Sequence, residues 1–146
     1  MQKSSGVNKI LNHTAAHVAG AFLGMGSWAV FANSGHPLPD MALAGLVQGT
    51  LSGLITLVMK KCLEALSARF AGASAPLAIM APPFTVCTVS TAVLIGTHAL
   101  AGTPEILATI AVPASVALTY AIIYSYSLWR QRKGQTGKDG NRKVPA

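Results

Sequence analysis

The chain has 146 residues, of which 51% are hydrophobic and 10% charged, with a formal net charge of +7. Soluble domains carry about 25% charged residues, so this composition excludes an ordinary water-soluble fold and a disordered chain and points to a bilayer as the solvent. The basic balance would suit nucleic acid, but every Lys and Arg falls on one side of a four-span arrangement, and a basic tail beside a membrane meets anionic lipid headgroups instead.

Four segments approach the roughly 20 mostly apolar residues that a spanning helix needs: Thr14–Phe31, Met41–Met59, Pro76–His98 and Ile106–Trp129. None contains Asp, Glu, Lys or Arg. Short connections join them, so the expected fold is all-α, an integral membrane four-helix bundle built from two helical hairpins. A four-span domain over residues 1–133 is followed by a basic C-terminal tail, 134–146, with no apolar period and an expected mobile character.

In the first helix, which starts before the apolar segment, His13, Ala16, His17, Gly20, Gly24 and Ser27 share one face, which is expected to pack against protein. His13 and His17 have the i, i+4 spacing of metal ligands, but Thr14 stands where a zinc protease needs its Glu, and no third ligand is near. A packed or interfacial pair is the expected role, and no metal is assigned. A cleaved signal peptide is the rival for this segment, since Lys3 and Lys9 precede it and Val30-Phe31-Ala32 resembles a cleavage site. Cleavage would leave three spans.

The first outer loop leads to Pro39-Asp40. Pro suits a first helical turn and a carboxylate suits the positive end of the helix dipole. In the second segment Gly45, Gln48, Gly49, Ser52, Gly53 and Thr56 fall on one arc of roughly 140° at about 100° per residue. Leu43, Leu46, Val47, Leu51, Leu54, Leu57 and Val58 fill the remainder, with Thr50 the one polar exception. This glycine-zipper pattern predicts a close helix contact through Gly45, Gly49 and Gly53, with Gly20 and Gly24 serving the same role in the first helix. Beyond Met59, the residues Leu63, Leu66 and Phe70 recur at helical spacing among Lys60, Lys61, Glu64 and Arg69, which predicts a short interfacial amphipathic segment. The run 71–76 breaks it.

The third segment places Ala78, Ala81, Thr85, Thr88, Ala92 and Gly96 on one face and carries Pro82-Pro83; the fourth has Ala114, Ala117 and Ala121 beside Tyr120 and Tyr124, with Pro113 in its first half. Prolines in spans free carbonyls that neighbouring groups or water must satisfy. Cys62 and Cys87 are separated by roughly 16 Å of helix rise, which is beyond disulfide reach. Pro104-Glu105 repeats Pro39-Asp40 at an offset of 65 residues, a weak sign of duplicated hairpins. Parallel repeats of this kind differ from the inverted repeats of many transporters.

All basic residues fall at the termini or between the second and third segments, so both termini and that loop are expected in the cytoplasm of a multi-pass plasma-membrane protein, the inner membrane in a bacterium. No carboxylate lies within a span, so neither enzyme chemistry nor a cofactor is expected. The chain lacks the first-helix Glu of small multidrug transporters, and its one-sided charge opposes the dual topology of fluoride channels. Two functions remain. One is a homo-oligomeric channel or transporter for a small ion or polar solute, lined by Gln48, Ser52, Thr56, Thr85, Thr88, His17 and Tyr120, with an outer mouth of Asn33, His36, Asp40, His98 and Glu105. The other is a non-catalytic accessory or scaffold subunit bound to a larger membrane partner.

Overall fold

A computed structural model describes the backbone of residues 3–142 and the side chains of residues 15–135. Four helices account for nearly all of it: α1 Lys3–Ala32, α2 Leu38–Arg69, α3 Ala75–Leu100 and α4 Ile106–Arg142. All four are long and apolar enough to cross a membrane. At 1.5 Å per residue α2 and α4 are about 48 and 55 Å long, so each outruns the roughly 30 Å hydrocarbon core. Their surplus lies at the end that holds Lys60, Lys61, Arg69, Arg130, Arg132 and Lys133. This basic end also carries the start of α1 and the end of α4; the opposite, turn end carries the 33–37 and 101–105 connections.

α1 packs along α2 and α3 along α4; α2 and α4 meet across the centre, and among the described residues α1 and α3 do not touch. α2 also touches α3 and α4 touches α1, so the same helix pairs meet when the two hairpins are exchanged. The α1–α2 seam is set by missing side chains. A Cβ on Gly26 would lie 2.9 Å from the Gly45 carbonyl oxygen, one on Gly45 would lie 2.5 Å from a Val30 methyl, and one on Gly49 would lie 2.8 Å from the Phe22 carbonyl oxygen. Gly53 continues the row against Val18. Glycine lets the two backbones touch and gain dispersion over the whole seam, which in lipid is a principal attraction between helices.

Several expectations need correction. Gly20 and Gly24 have nothing within 4 Å of a built Cβ, and Ala16, His17 and Ser27 are exposed with them. The inward face of α1 holds Gly26, Ala29 and Asn33. On α3 the buried residues are Ala78, Pro82, Pro83, Val86, Leu94 and His98, while Thr85, Thr88, Ala92 and Gly96 face outward. Leu63 does not lie at an interface: it is fully buried with Met59, Val86 and Ala121 in the apolar core of the basic half, because α2 runs unbroken to Arg69. The helices also continue through Pro82-Pro83 and Pro113. α4 continues to Arg142, so its backbone is helical through residues 134–142. Positions 143–146 and the side chain of His13 lie outside the described residues.

Candidate functional site

The turn-end half of the bundle is polar inside. Asn33, Gln48, His98 and Thr109 are each 0% exposed, so no water-sized space touches them. Their hydrogen bonds form two knots, each joining one hairpin to the other.

The first knot begins at the end of α3. Gly102 takes a positive φ of 70°, which glycine adopts without a Cβ clash, and Thr103 N–H and Gly102 N–H donate to the carbonyls of His98 and Ala99. These are the two bonds of a Schellman stop. The turn brings Thr103 back over His98, whose Nδ1 lies 2.8 Å from the Thr103 hydroxyl. On its other side His98 Nε2 lies 2.9 Å from Gln48 Oε1, and Gln48 Nε2 donates to the Ser52 hydroxyl at 2.9 Å. Because the amide nitrogen is committed as donor, Gln48 Oε1 must accept. In the neutral ring Nε2 therefore carries the hydrogen, and Nδ1 accepts from Thr103. The chain is directional and complete, Thr103 to His98 to Gln48 to Ser52.

The second knot centres on Asn33 at the end of α1. Its Nδ2 donates to Ala29 O and to the Thr109 hydroxyl, both at 2.8 Å. Its Oδ1 accepts from Glu105 N–H at 3.0 Å, which satisfies one donor in the opening turn of α4. The Thr109 hydroxyl in turn donates to Glu105 O at 2.7 Å. Trp28 Nε1 donates to Ala108 O nearby. Asn33 and His98 stand 65 residues apart, the offset of the two Pro-acid pairs, and each reaches from its own hairpin's first helix to the other hairpin's second.

The residues expected to line a passage are therefore not assembled into one. Gln48 and Ser52 meet in the first knot, but Thr56, Thr85, Thr88 and His17 are exposed, as is Tyr120, stacked on Tyr124. Several surface hydroxyls close onto their own helix, among them Thr85 onto Ala81 O, Ser115 onto Ala111 O and Thr119 onto Ser115 O. Such back-bonding satisfies the hydroxyl donor without water. The expected outer mouth also divides. Asn33 and His98 are interior, Asp40 is exposed, and only His36 and Glu105 pair at the surface, at 3.3 Å. Composition left Thr103, Thr109, Trp28 and Gly26 unmarked. A usable signal was that Gln48, Asn33 and His98 are isolated polar groups in apolar surroundings, which forces each to find a partner.

Among the described residues no three His, Cys, Asp or Glu side chains come together, and Cys62 and Cys87 are free thiols. The fold and its interior define a polytopic four-helix bundle, locked at one end by buried polar knots. No protein-family model, curated protein or solved structure matches the chain.

Proposed function

We propose that this chain is a multi-pass protein of the plasma membrane, with its basic end in the cytoplasm, that serves as a non-catalytic subunit of a membrane complex. Segregation of the described Lys and Arg side chains at one end supports the orientation. The functional reading is carried by closure of the polar interior. Gln48 is fully buried and bonded at both ends of its amide, which favours a role in holding the hairpins together over contact with a solute. Meanwhile the Ala16, His17, Gly20, Gly24 and Ser27 face of α1 is turned outward. A surface of small and polar residues gains more against another helix than against lipid tails.

A homo-oligomeric channel or transporter is the second reading. It draws support from Thr85, Thr88 and Gly96 on the outer face of α3, because a lumen would have to lie between copies. The mass of the complex extracted in mild detergent separates the two. A partner at fixed stoichiometry that is lost on Gly24→Leu supports the subunit; a symmetric oligomer of this chain alone, unaffected by Gly24→Leu, supports the channel.

A further inference from the structure

At the basic end, the last turn of α2, the 70–74 connection, the first turn of α3 and the distal part of α4 enclose a cleft of about 460 Å³. Ala71, Ala73, Ala75 and Ala78 form much of its wall, so little side-chain bulk covers the backbone there. From α4 it receives Trp129, Arg132 and Lys133, and no carboxylate lines it. Arg132 is held at the cleft by donating to the Ser67 carbonyl oxygen. The Lys133 ammonium sits 5.0 Å over the Trp129 ring. The neighbouring acid on α2, Glu64, is engaged by the Tyr124 hydroxyl at 2.6 Å.

Two further features ask for an anion. The first turn of α3 has no side-chain cap, and Pro76 supplies no N–H, so the amides of Ala75 and Leu77 are left at the positive end of a 26-residue helix. Ser67, which lines the cleft and is only 3% exposed, has a hydroxyl with no hydrogen-bond partner among the described residues. A buried hydroxyl without a partner is costly. A group with several acceptor oxygens and negative charge would satisfy the hydroxyl and the helix end at once, beside the positive charges of Arg132 and Lys133.

We infer that this cleft binds a phosphate group, held by Arg132, Lys133, the α3 N-terminus and the Ser67 hydroxyl. Its source is the headgroup of an anionic phospholipid. Tyr126 and Trp129 stack on α4 at 6.0 Å beside the cleft, and such aromatic pairs mark the level of headgroups. The lipid source rests on the membrane reading, whereas the phosphate chemistry does not, so the test includes a soluble arm.

The full chain in detergent is titrated with phosphatidylglycerol, with phosphatidylcholine and with inorganic phosphate, and bound species are counted by native mass spectrometry. One phosphatidylglycerol per chain is expected, bound at least about tenfold more tightly than phosphatidylcholine, whose phosphodiester is the same but whose choline cation is repelled by Arg132 and Lys133. Arg132→Gln removes a cation from the cleft and Ala71→Glu adds an anion at an exposed wall position. Each should weaken phosphatidylglycerol about tenfold or more, while Lys60→Gln, at the same end but off the cleft, should change it less than about twofold. Circular dichroism confirms folding, and Ala71→Glu keeps the test valid should Arg132→Gln unfold. Equal losses in Lys60→Gln and Ala71→Glu would overturn the site, leaving diffuse attraction to a basic surface. Displacement of lipid by millimolar inorganic phosphate would keep the site and assign it to soluble phosphate compounds as well.

Discussion

Gly49 is where an added Cβ would come nearest to the backbone of the facing helix, and a single methyl group there should separate α1 and α2. An alanine Cβ would stand 2.8 Å from the Phe22 carbonyl oxygen and 3.1 and 3.2 Å from two Phe22 ring atoms, where ordinary contact begins at 3.4 Å. The ring can turn away, but the carbonyl belongs to the α1 backbone, so the helix itself must retreat by about 0.6 Å, and a gap of that size forfeits a quarter to a half of the dispersion well at each contact along the seam. Overpacking of this kind costs about 1 to 3 kcal/mol. Alanine also gains about 1 kcal/mol of helix propensity over glycine, so the comparison needs a variant with that gain and no clash. Gly96→Ala provides it, because nothing lies within 4 Å of its built Cβ. Unfolding of the purified chain in mixed micelles with increasing denaturing detergent, followed by circular dichroism, should place Gly49→Ala below Gly96→Ala by about 1 to 3 kcal/mol. Coincident curves would refute the reasoning, since they would mean that the Gly26, Gly45 and Gly49 row does not set the distance between these helices.

The knots make their own predictions. His98→Leu leaves Gln48 Oε1 and the Thr103 hydroxyl without their partner and should cost about 1 to 2 kcal/mol, whereas the double variant His98→Leu, Gln48→Leu should cost less than the sum of the single changes; additive losses in the same micelle titration would mean that the two side chains do not interact. Asn33→Ala strips partners from Glu105 N–H and the Thr109 hydroxyl together and should lower stability by about 1 to 3 kcal/mol, with amide exchange at the start of α4 as the local readout. Reporter fusions after Ala146 and within residues 70–74 should read cytoplasmic and insertions at Ser34–Leu38 external; an external C-terminus would reverse the orientation.

How much of this was legible in the sequence differs from helix to helix. α2 was readable because two independent demands coincide on one arc: Gly45, Gly49 and Gly53 remove bulk where Gln48 and Ser52 need partners. On α1 and α3 most of the small and polar residues at helical spacing face outward instead. In water, burial of apolar surface would fix the inward face, but lipid tails are as apolar as leucine, so hydropathy does not say which way a spanning helix turns. Val18, Phe22 and Val30 therefore pack against the glycines of α2 while Gly20 and Gly24 remain outside. His98 was misplaced for a related reason. It sits two residues from the end of α3, where a polar side chain ordinarily meets water, yet the Gly102 turn folds Thr103 over it and tucks both inside. The 65-residue offset held the missing clue, since it equates His98 with Asn33 and so suggests one interior role for both.

The most direct test of the closed interior is flux through the wild-type chain reconstituted in vesicles, assayed with a panel of ions and small polar solutes beside Gln48→Leu. With Gln48 and His98 fully buried and bonded to each other, both proteins should leak no faster than vesicles without protein. A wild-type flux that Gln48→Leu abolishes while the fold stays intact would contradict the account, because it would place the Gln48 amide in a water-filled path.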